Sequence, residues 1–255
     1  MGKYAVIILL VSFFIGEGLR ANDLAISQGI SSPTYTHISL FSNGFTFDNP
    51  VGAAYEDGYR GTLSVDGTTS TSGGLDIGVG DTQYGLGLGF YSNGCDGCEG
   101  YARANLGAIW GGFGFGFGIQ EDLYTVGILL NPNGLHRIGF IAEFDDQAGV
   151  NNKRFASGVG YAYVLPRFSF SLDVSHRNLE DPSIEDSALL VTPGFAVKVD
   201  IFSFSLSYDV YVADHANNFS DQLWVGLGAK PFKEWQFIFY GEYIDRWTLV
   251  ASYAF

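Results

Sequence analysis

Two cysteines stand three positions apart in Gly94-Cys95-Asp96-Gly97-Cys98-Glu99-Gly100, and they are the only two in the chain. A Cys-x-x-C pair can carry redox chemistry, hold a metal or close a small ring. Thioredoxin-like use requires a βαβ setting that the flanking residues do not offer. A metal would need more ligands than two thiols with Asp96 and Glu99. A Cys95–Cys98 disulfide, formed in an oxidising compartment, is the expected state. Neither a metal nor a cofactor is expected. Four histidines are the other candidates for chemistry: His37, His136, His176 and His215. His176 and His215 lie near acids, which would suit a hydrolase at the rim of a barrel. The sequence lacks the Gly-x-Ser-x-Gly elbow of serine hydrolases, and no enzyme is expected. Clustered acids at Glu180, Asp181, Glu185, Asp186, Asp214 and Asp221 either hold divalent cations or form a solvated, repulsive surface.

The segments that must position these groups alternate with period two. Phe202, Phe204, Leu206, Tyr208 and Val210 fall on one side of an extended chain; Ser203, Ser205, Ser207 and Asp209 fall on the other. Residues 167–176 repeat this, with Phe168, Phe170, Leu172 and Val174 opposed to Ser169, Ser171, Asp173 and Ser175. Trp247, Leu249, Ala251, Tyr253 and Phe255 share one face at the C-terminus. Such alternation is the signature of a strand with two different environments. Fourteen segments fit it: 59–66, 73–80, 83–92, 101–110, 112–120, 123–130, 136–145, 154–165, 167–177, 188–199, 202–212, 221–230, 234–243 and 246–255. Tilted strands of ~9–11 residues suffice to cross a bilayer. Connections alternate in length, short at 81–82, Gly111, Pro166, 200–201 and 231–233 with 131–135 the exception, longer at 67–72, 93–100, 146–153, 178–187 and 213–220. Short inner turns and longer outer loops are the rule for outer-membrane barrels, and most carboxylates fall at the longer connections.

Composition agrees with this reading. Aromatic residues make up 16% of the chain and charged residues only 16%, and there are 35 glycines. The net charge of -14 argues against nucleic acid, whose phosphates need a basic surface. Lys3, the apolar run Ala5 to Ile15, Gly16, Gly18 and Leu19-Arg20-Ala21 have the layout of a secretory signal peptide, expected to cover residues 1–21. The run is too short to span a bilayer as a helix, which needs ~20 residues. Residues 22–58 are rich in Ser, Thr, Asn and Gly and are expected to form a plug or hatch ahead of a barrel at 59–255. An all-β, antiparallel transmembrane barrel of about fourteen strands with an N-terminal plug is therefore the expected fold. It would sit in the outer membrane of a Gram-negative bacterium with both termini in the periplasm.

If the aromatic face meets lipid, the lumen receives Gly112, Gly114, Gly116 and Gly118, then Gly85, Gly87 and Gly89, then Gly226 and Gly228. A glycine wall either admits another backbone from inside or relieves curvature in a small barrel. The same inward face carries Arg60, Arg103, Arg137 and Lys198 together with Glu143, Asp173, Asp209 and Glu242. Opposite charges removed from water tend to pair, so these residues form either a salt-bridged interior or a selectivity filter.

The element Asp48-Asn49-Pro50-Val51-Gly52-Ala53-Ala54 resembles the Asn-Pro-Ala-Gly-Leu-Ala element near the mature N-terminus of the FadL-like transporters of long-chain fatty acids and hydrocarbons. Val51 departs from the family's Ala, and the chain is shorter than typical members. The resemblance implies a hatch inside a fourteen-stranded barrel and passive uptake of small hydrophobic molecules such as fatty acids. Phe41, Phe45 and Phe47, with Asn49 and Pro50, would then contact the ligand or pack the hatch against the wall. The implied partners are outer-membrane lipid, a small hydrophobic ligand and, through the terminal Phe255, the barrel-assembly machinery. The alternatives are a structural or scaffold barrel and a small general porin.

Overall fold

In the computed structural model, residues 49–55, 57–67, 71–92, 101–120, 123–145, 155–181, 184–214, 222–242 and 246–254 are described. Fourteen antiparallel strands close on themselves, each bonded to its sequence neighbours and the first to the last. They are β1 (Asp57–Gly67), β2 (Thr71–Asp81), β3 (Tyr84–Ser92), β4 (Tyr101–Trp110), β5 (Phe113–Gln120), β6 (Leu123–Leu130) and β7 (His136–Asp145). The second half comprises β8 (Phe155–Leu165), β9 (Phe168–Asp181), β10 (Ile184–Val199), β11 (Phe202–Asp214), β12 (Gln222–Ala229), β13 (Trp235–Glu242) and β14 (Arg246–Ala254). Closure runs through eight register pairs, from Arg60 with Ala254 to Gly67 with Trp247. A closed ring leaves no strand edge with unpaired backbone, the condition for a sheet to sit in hydrocarbon.

The expected fourteen strands are therefore all present, several to the residue. The largest difference lies at 178–187, expected as a loop. There β9 runs on to Asp181 and β10 begins at Ile184, paired down to Ile184 with Asp181. The acids that suggested a loop sit on the paired ends of these two strands. Gly112, expected on the lumen wall, lies with Gly111 in the turn between β4 and β5 and is exposed.

At one end the turns are tight, and their backbones take left-handed conformations: φ is +67° at Thr82, +58° at Gly111, +54° at Asn131 and +56° at Asp200. Positive φ suits a short hairpin because that twist matches the flanking strands; the Pro166–Arg167 turn forms without it. Side chains help at the non-glycine positions. Asp81 accepts hydrogen bonds from the Tyr84 and Gln83 amides at 2.7 and 3.0 Å. Asn131 Nδ2 donates to the His136 carbonyl at 2.8 Å and spans the longer turn 131–135.

The outward face is apolar, with Phe113, Phe115, Phe117 and Ile119 alternating exposed against buried Gly114, Gly116 and Gly118 along β5. Exposed side chains of this kind cannot be a soluble surface of normal composition, but they suit lipid. Around the tight-turn end they are joined by a belt of amphipathic rings. Trp110 Nε1 donates to the Tyr84 hydroxyl at 2.8 Å, His136 Nδ1 bonds the Tyr161 hydroxyl at 2.7 Å, and Trp235 packs on Tyr253 with ring centroids 4.9 Å apart. Rings with an apolar body and a polar tip gather where hydrocarbon meets headgroups. Among the described residues no helix is long and apolar enough to cross a membrane; the strands make the crossing.

Candidate functional site: the hatch turn and the lumen

Residues Pro50–Tyr55 form a 3-10 turn inside the barrel. Pro50 is preset for a first helical position because it lacks the N–H that would go unbonded there. Asn49 starts the turn: its backbone carbonyl accepts from Gly52 N at 2.9 Å and its Oδ1 from Val51 N at 3.2 Å. Its Nδ2 donates outward to the carbonyls of Ile128 on β6, at 3.1 Å, and Phe140 on β7, at 3.4 Å. Asn49 is 2 % exposed, so both ends of one amide are committed to a buried position where losing a partner is costly.

The turn rests on β2 through β6. The wall beneath it carries a row of glycines in direct register: Gly80 with Gly85, Gly85 with Gly107, Gly107 with Gly116, and Gly116 with Gly127. A Cβ on Gly85 would overlap the Ala53 carbonyl, and one on Gly116 would overlap Val51 N and the Pro50 carbonyl carbon. On Gly107 it would lie 2.8 Å from Ala54 N, and on Gly127 it would meet the Asn49 amide. Val51, Ala54, Ile109 and Leu129 fuse turn and wall into one buried apolar cluster. Of the two readings of the glycine wall, close approach of another backbone accounts for this row. Gly107 and Gly127 were not singled out in the sequence, since each is an isolated glycine in an otherwise ordinary strand.

Tyr55 ends the turn. Its hydroxyl donates to the Pro132 carbonyl at 2.7 Å, and burial pushes its phenol up to about 12, against the pull of nearby Arg137. The Arg137 guanidinium lies 5.7 Å from the Tyr55 ring centroid, a cation–π distance. Arg137 Nε donates to the Gly134 carbonyl at 3.3 Å, while the buried Nη2 has no hydrogen-bond partner.

The other charges named from the sequence are spread round the lumen rather than gathered. Arg60 on β1 reaches Gln236 on β13 at 3.3 Å. Arg103 Nε donates to Asn105 Oδ1 at 3.3 Å, both residues buried on β4. Glu143 on β7 and Lys198 on β10 are half-buried, and Asp173 is buried on β9. Asp209 accepts from Thr192 Oγ1 at 2.6 Å and from Trp224 Nε1 at 2.9 Å. Glu242 is placed by its backbone, paired with Trp224 and Arg246. His176 is exposed on β9, two residues beyond Val174 on the outward-facing parity. Phe41, Phe45, Phe47, Cys95, Cys98, His37 and His215 lie outside the described residues, as do the signal segment and the rest of 22–48.

Sequence comparison finds no matching family model and no matching curated protein. Solved structures do match. The CymD monoaromatic hydrocarbon channel shares 10% identity at a TM-score of 0.54, over 95% of this chain and 98% of that one. The Pseudomonas putida toluene transporter TodX shares 12% identity at a TM-score of 0.37, over 94% of this chain and 98% of that one. The outer-membrane channel DcaP of Acinetobacter baumannii gives 10% and 0.45, over 78% and 96%. Closure, the apolar band and the aromatic belt define an outer-membrane β-barrel. The likeness to CymD is one of fold, along nearly the whole of both chains.

Proposed function

We propose that this chain is an outer-membrane channel for passive uptake of small hydrophobic molecules, its hatch being the segment expected at 22–58, shortened to 22–55 by the start of β1 at Asp57. The observation that carries the reading is the hatch turn on its glycine row. Five glycines without side chains would be a weak stretch of wall on their own; they make sense as a bed for a segment that occupies the lumen. The likeness in fold to a channel named for monoaromatic hydrocarbons supports a ligand of that size, and fatty acids are the second candidate class. Such molecules cross a polar surface layer poorly, so a passage past it would speed their entry. The tight-turn end and both termini are assigned to the periplasm, with export directed by a signal ending near Ala21.

The test is flux of toluene, and separately of a long-chain fatty acid, into liposomes holding the purified barrel, together with planar-bilayer conductance before and after deletion of residues 22–55. Flux above empty liposomes supports the channel. Silence of the full chain with conductance of the shortened one identifies the hatch as a plug. Equal conductance by both makes the protein a small general porin, and silence in every assay makes it a closed structural barrel.

A further inference from the structure

Arg137 sits on the inward side of β7, next to the 131–135 turn, and is only 3% exposed. A guanidinium carries five N–H donors and keeps its charge. Here Nε donates to the Gly134 carbonyl at 3.3 Å. Nη2 is buried without a partner, and among the described residues no other buried side-chain nitrogen or oxygen is left so. No carboxylate pairs with the group among the described residues. What lies against it is the ring of Tyr55, 5.7 Å away. A ring face gives a cation part of what a counter-ion would, but it offers Nη2 no lone pair. A charge taken out of water normally keeps a hydrogen-bonded partner of opposite sign. Its lack here marks a place for an anion.

The neighbouring charges agree in sign. Arg60 on β1 and Lys198 on β10 are the other lumen cations near the tight-turn end, each with interactions of its own. Glu143, Asp173 and Asp209 lie farther along β7, β9 and β11, and each of them also has partners. The acids of the turns, Asp81, Asp200 and Glu234, are exposed. An anion in the lumen is therefore drawn towards the tight-turn end. Of the three cations there, Arg137 is the one with a buried donor to offer.

The wall beside Arg137 suits an apolar body. Register sets Arg137 next to Ala162, and puts Leu129, Gly139 and Gly160 in the following inward row. Ala162 and Val164 form a buried apolar pair, and Leu129 belongs to the cluster that joins hatch turn and wall. Asp173 comes after Gly160 in that row, so a negative group is turned away from that side and towards the guanidinium.

We infer that Arg137 binds the carboxylate of a small hydrophobic acid in the lumen, with Tyr55 as the cover that yields to it. In the closed form the Tyr55 hydroxyl is tied to the Pro132 carbonyl at 2.7 Å. A carboxylate matches the fork of a guanidinium with two parallel hydrogen bonds, and it gains the one to Nη2 only where the ring has moved. A ligand that binds one form better shifts the balance towards that form, so binding lifts the end of the hatch turn. This rests on the channel reading and narrows its ligand class to hydrophobic acids.

The test is calorimetric binding of four probes to the full chain in detergent: benzoate, benzyl alcohol, toluene and acetate. Benzoate should bind at least about tenfold tighter than benzyl alcohol or toluene, the effect of one hydrogen bond between charged groups. It should also bind tighter than acetate, which has the charge without the apolar body. Benzoate, and not benzyl alcohol, should quicken hydrogen exchange at Tyr55. Arg137→Met should bring benzoate down to the level of benzyl alcohol. Tyr55→Leu keeps the cation and removes the cover, and it should bind benzoate severalfold tighter than the parent; heat-modifiable gel mobility shows that both variants are folded. Equal binding of benzoate and benzyl alcohol, acetate binding as tightly as benzoate, or no binding of any probe would each overturn the inference. So would an advantage of benzoate that survives Arg137→Met and falls in Lys198→Met, or exchange at Tyr55 that benzoate leaves unchanged. The channel reading is decided apart from it, by toluene flux into liposomes.

Discussion

The amide of Asn49 occupies the space that a side chain on Gly127 would need. One residue of the hatch and one of the wall thus exclude any larger pair. Because Ala is otherwise better than Gly in a strand by about 0.5–1 kcal/mol, Gly127→Ala or Gly116→Ala should leave the barrel intact or slightly more stable while lifting the hatch turn from the wall. Asn49→Ala should act from the other side, removing the hydrogen bonds that tie the turn to the Ile128 and Phe140 carbonyls at a cost of about 1 kcal/mol. Hydrogen exchange of residues 49–55 should quicken in all three variants, with the strands keeping their protection. Protection of the turn equal to that of the parent would show that the glycine row does not seat it.

Tyr55 gives the same contact a pH dependence. Its phenol is raised from an ordinary value of 10.0 to about 12, by burial first, with Arg137 acting in the lowering direction. A group with a raised folded pKa contributes its full stabilisation below the unfolded value and loses it as pH rises through the folded one. The hatch turn should therefore hold steady up to about pH 10 and loosen towards pH 12. Tyr55→Phe should abolish that loosening, and Arg137→Met should move the phenol's titration still higher. Hydrogen exchange of residues 49–55 against pH checks this. Met at 137 should cost the barrel little, because it also removes a buried guanidinium nitrogen that has no partner.

Much of this architecture was legible in the chain because each strand separates two environments. On β11 the order Phe202-Ser203-Phe204-Ser205 states which side meets lipid, and the structure exposes Phe202 and Phe204 while burying Ser205. The limits of β6 and β7 were readable to the residue for the same reason. The hatch site was only half legible. Asn49 and Pro50 announced a turn, but the bed under them depends on register between four strands, which sequence spacing does not give. Gly107 and Gly127 acquire their meaning only when aligned with Gly85 and Gly116. The serine-lined wall of β9 to β11 is similar. Ser171 and Ser207 lie far apart in sequence and become neighbours through Gly194.

The four tryptophans separate the faces experimentally. Trp110 and Trp235 are exposed on the outer wall next to tight turns, Trp247 is exposed at the start of β14 at the opposite end, and Trp224 is buried in the lumen. In variants retaining a single Trp, lipids brominated near the headgroup should quench Trp110, Trp235 and Trp247 strongly and Trp224 weakly. A quencher confined to one leaflet should split the first three, with Trp110 and Trp235 responding together. Strong quenching of Trp224 would contradict the assignment of inner and outer faces.

Ser205 and Leu206 are adjacent on β11 and face opposite media, the first buried in the lumen and the second exposed to the membrane. A charge at 206 has hydrocarbon as its surroundings. Leu206→Arg should therefore destabilise the barrel by about 2–4 kcal/mol if the position lies near the midplane, and less towards an interface. Ser205→Val replaces a lumen-facing serine with a β-branched residue, and strands favour such residues. Its effect on stability should be near zero. Urea unfolding from lipid vesicles measures both. Were the two faces reversed, Leu206→Arg would be the tolerated change, so the sign of this one comparison tests the alternation from which the whole fold was read.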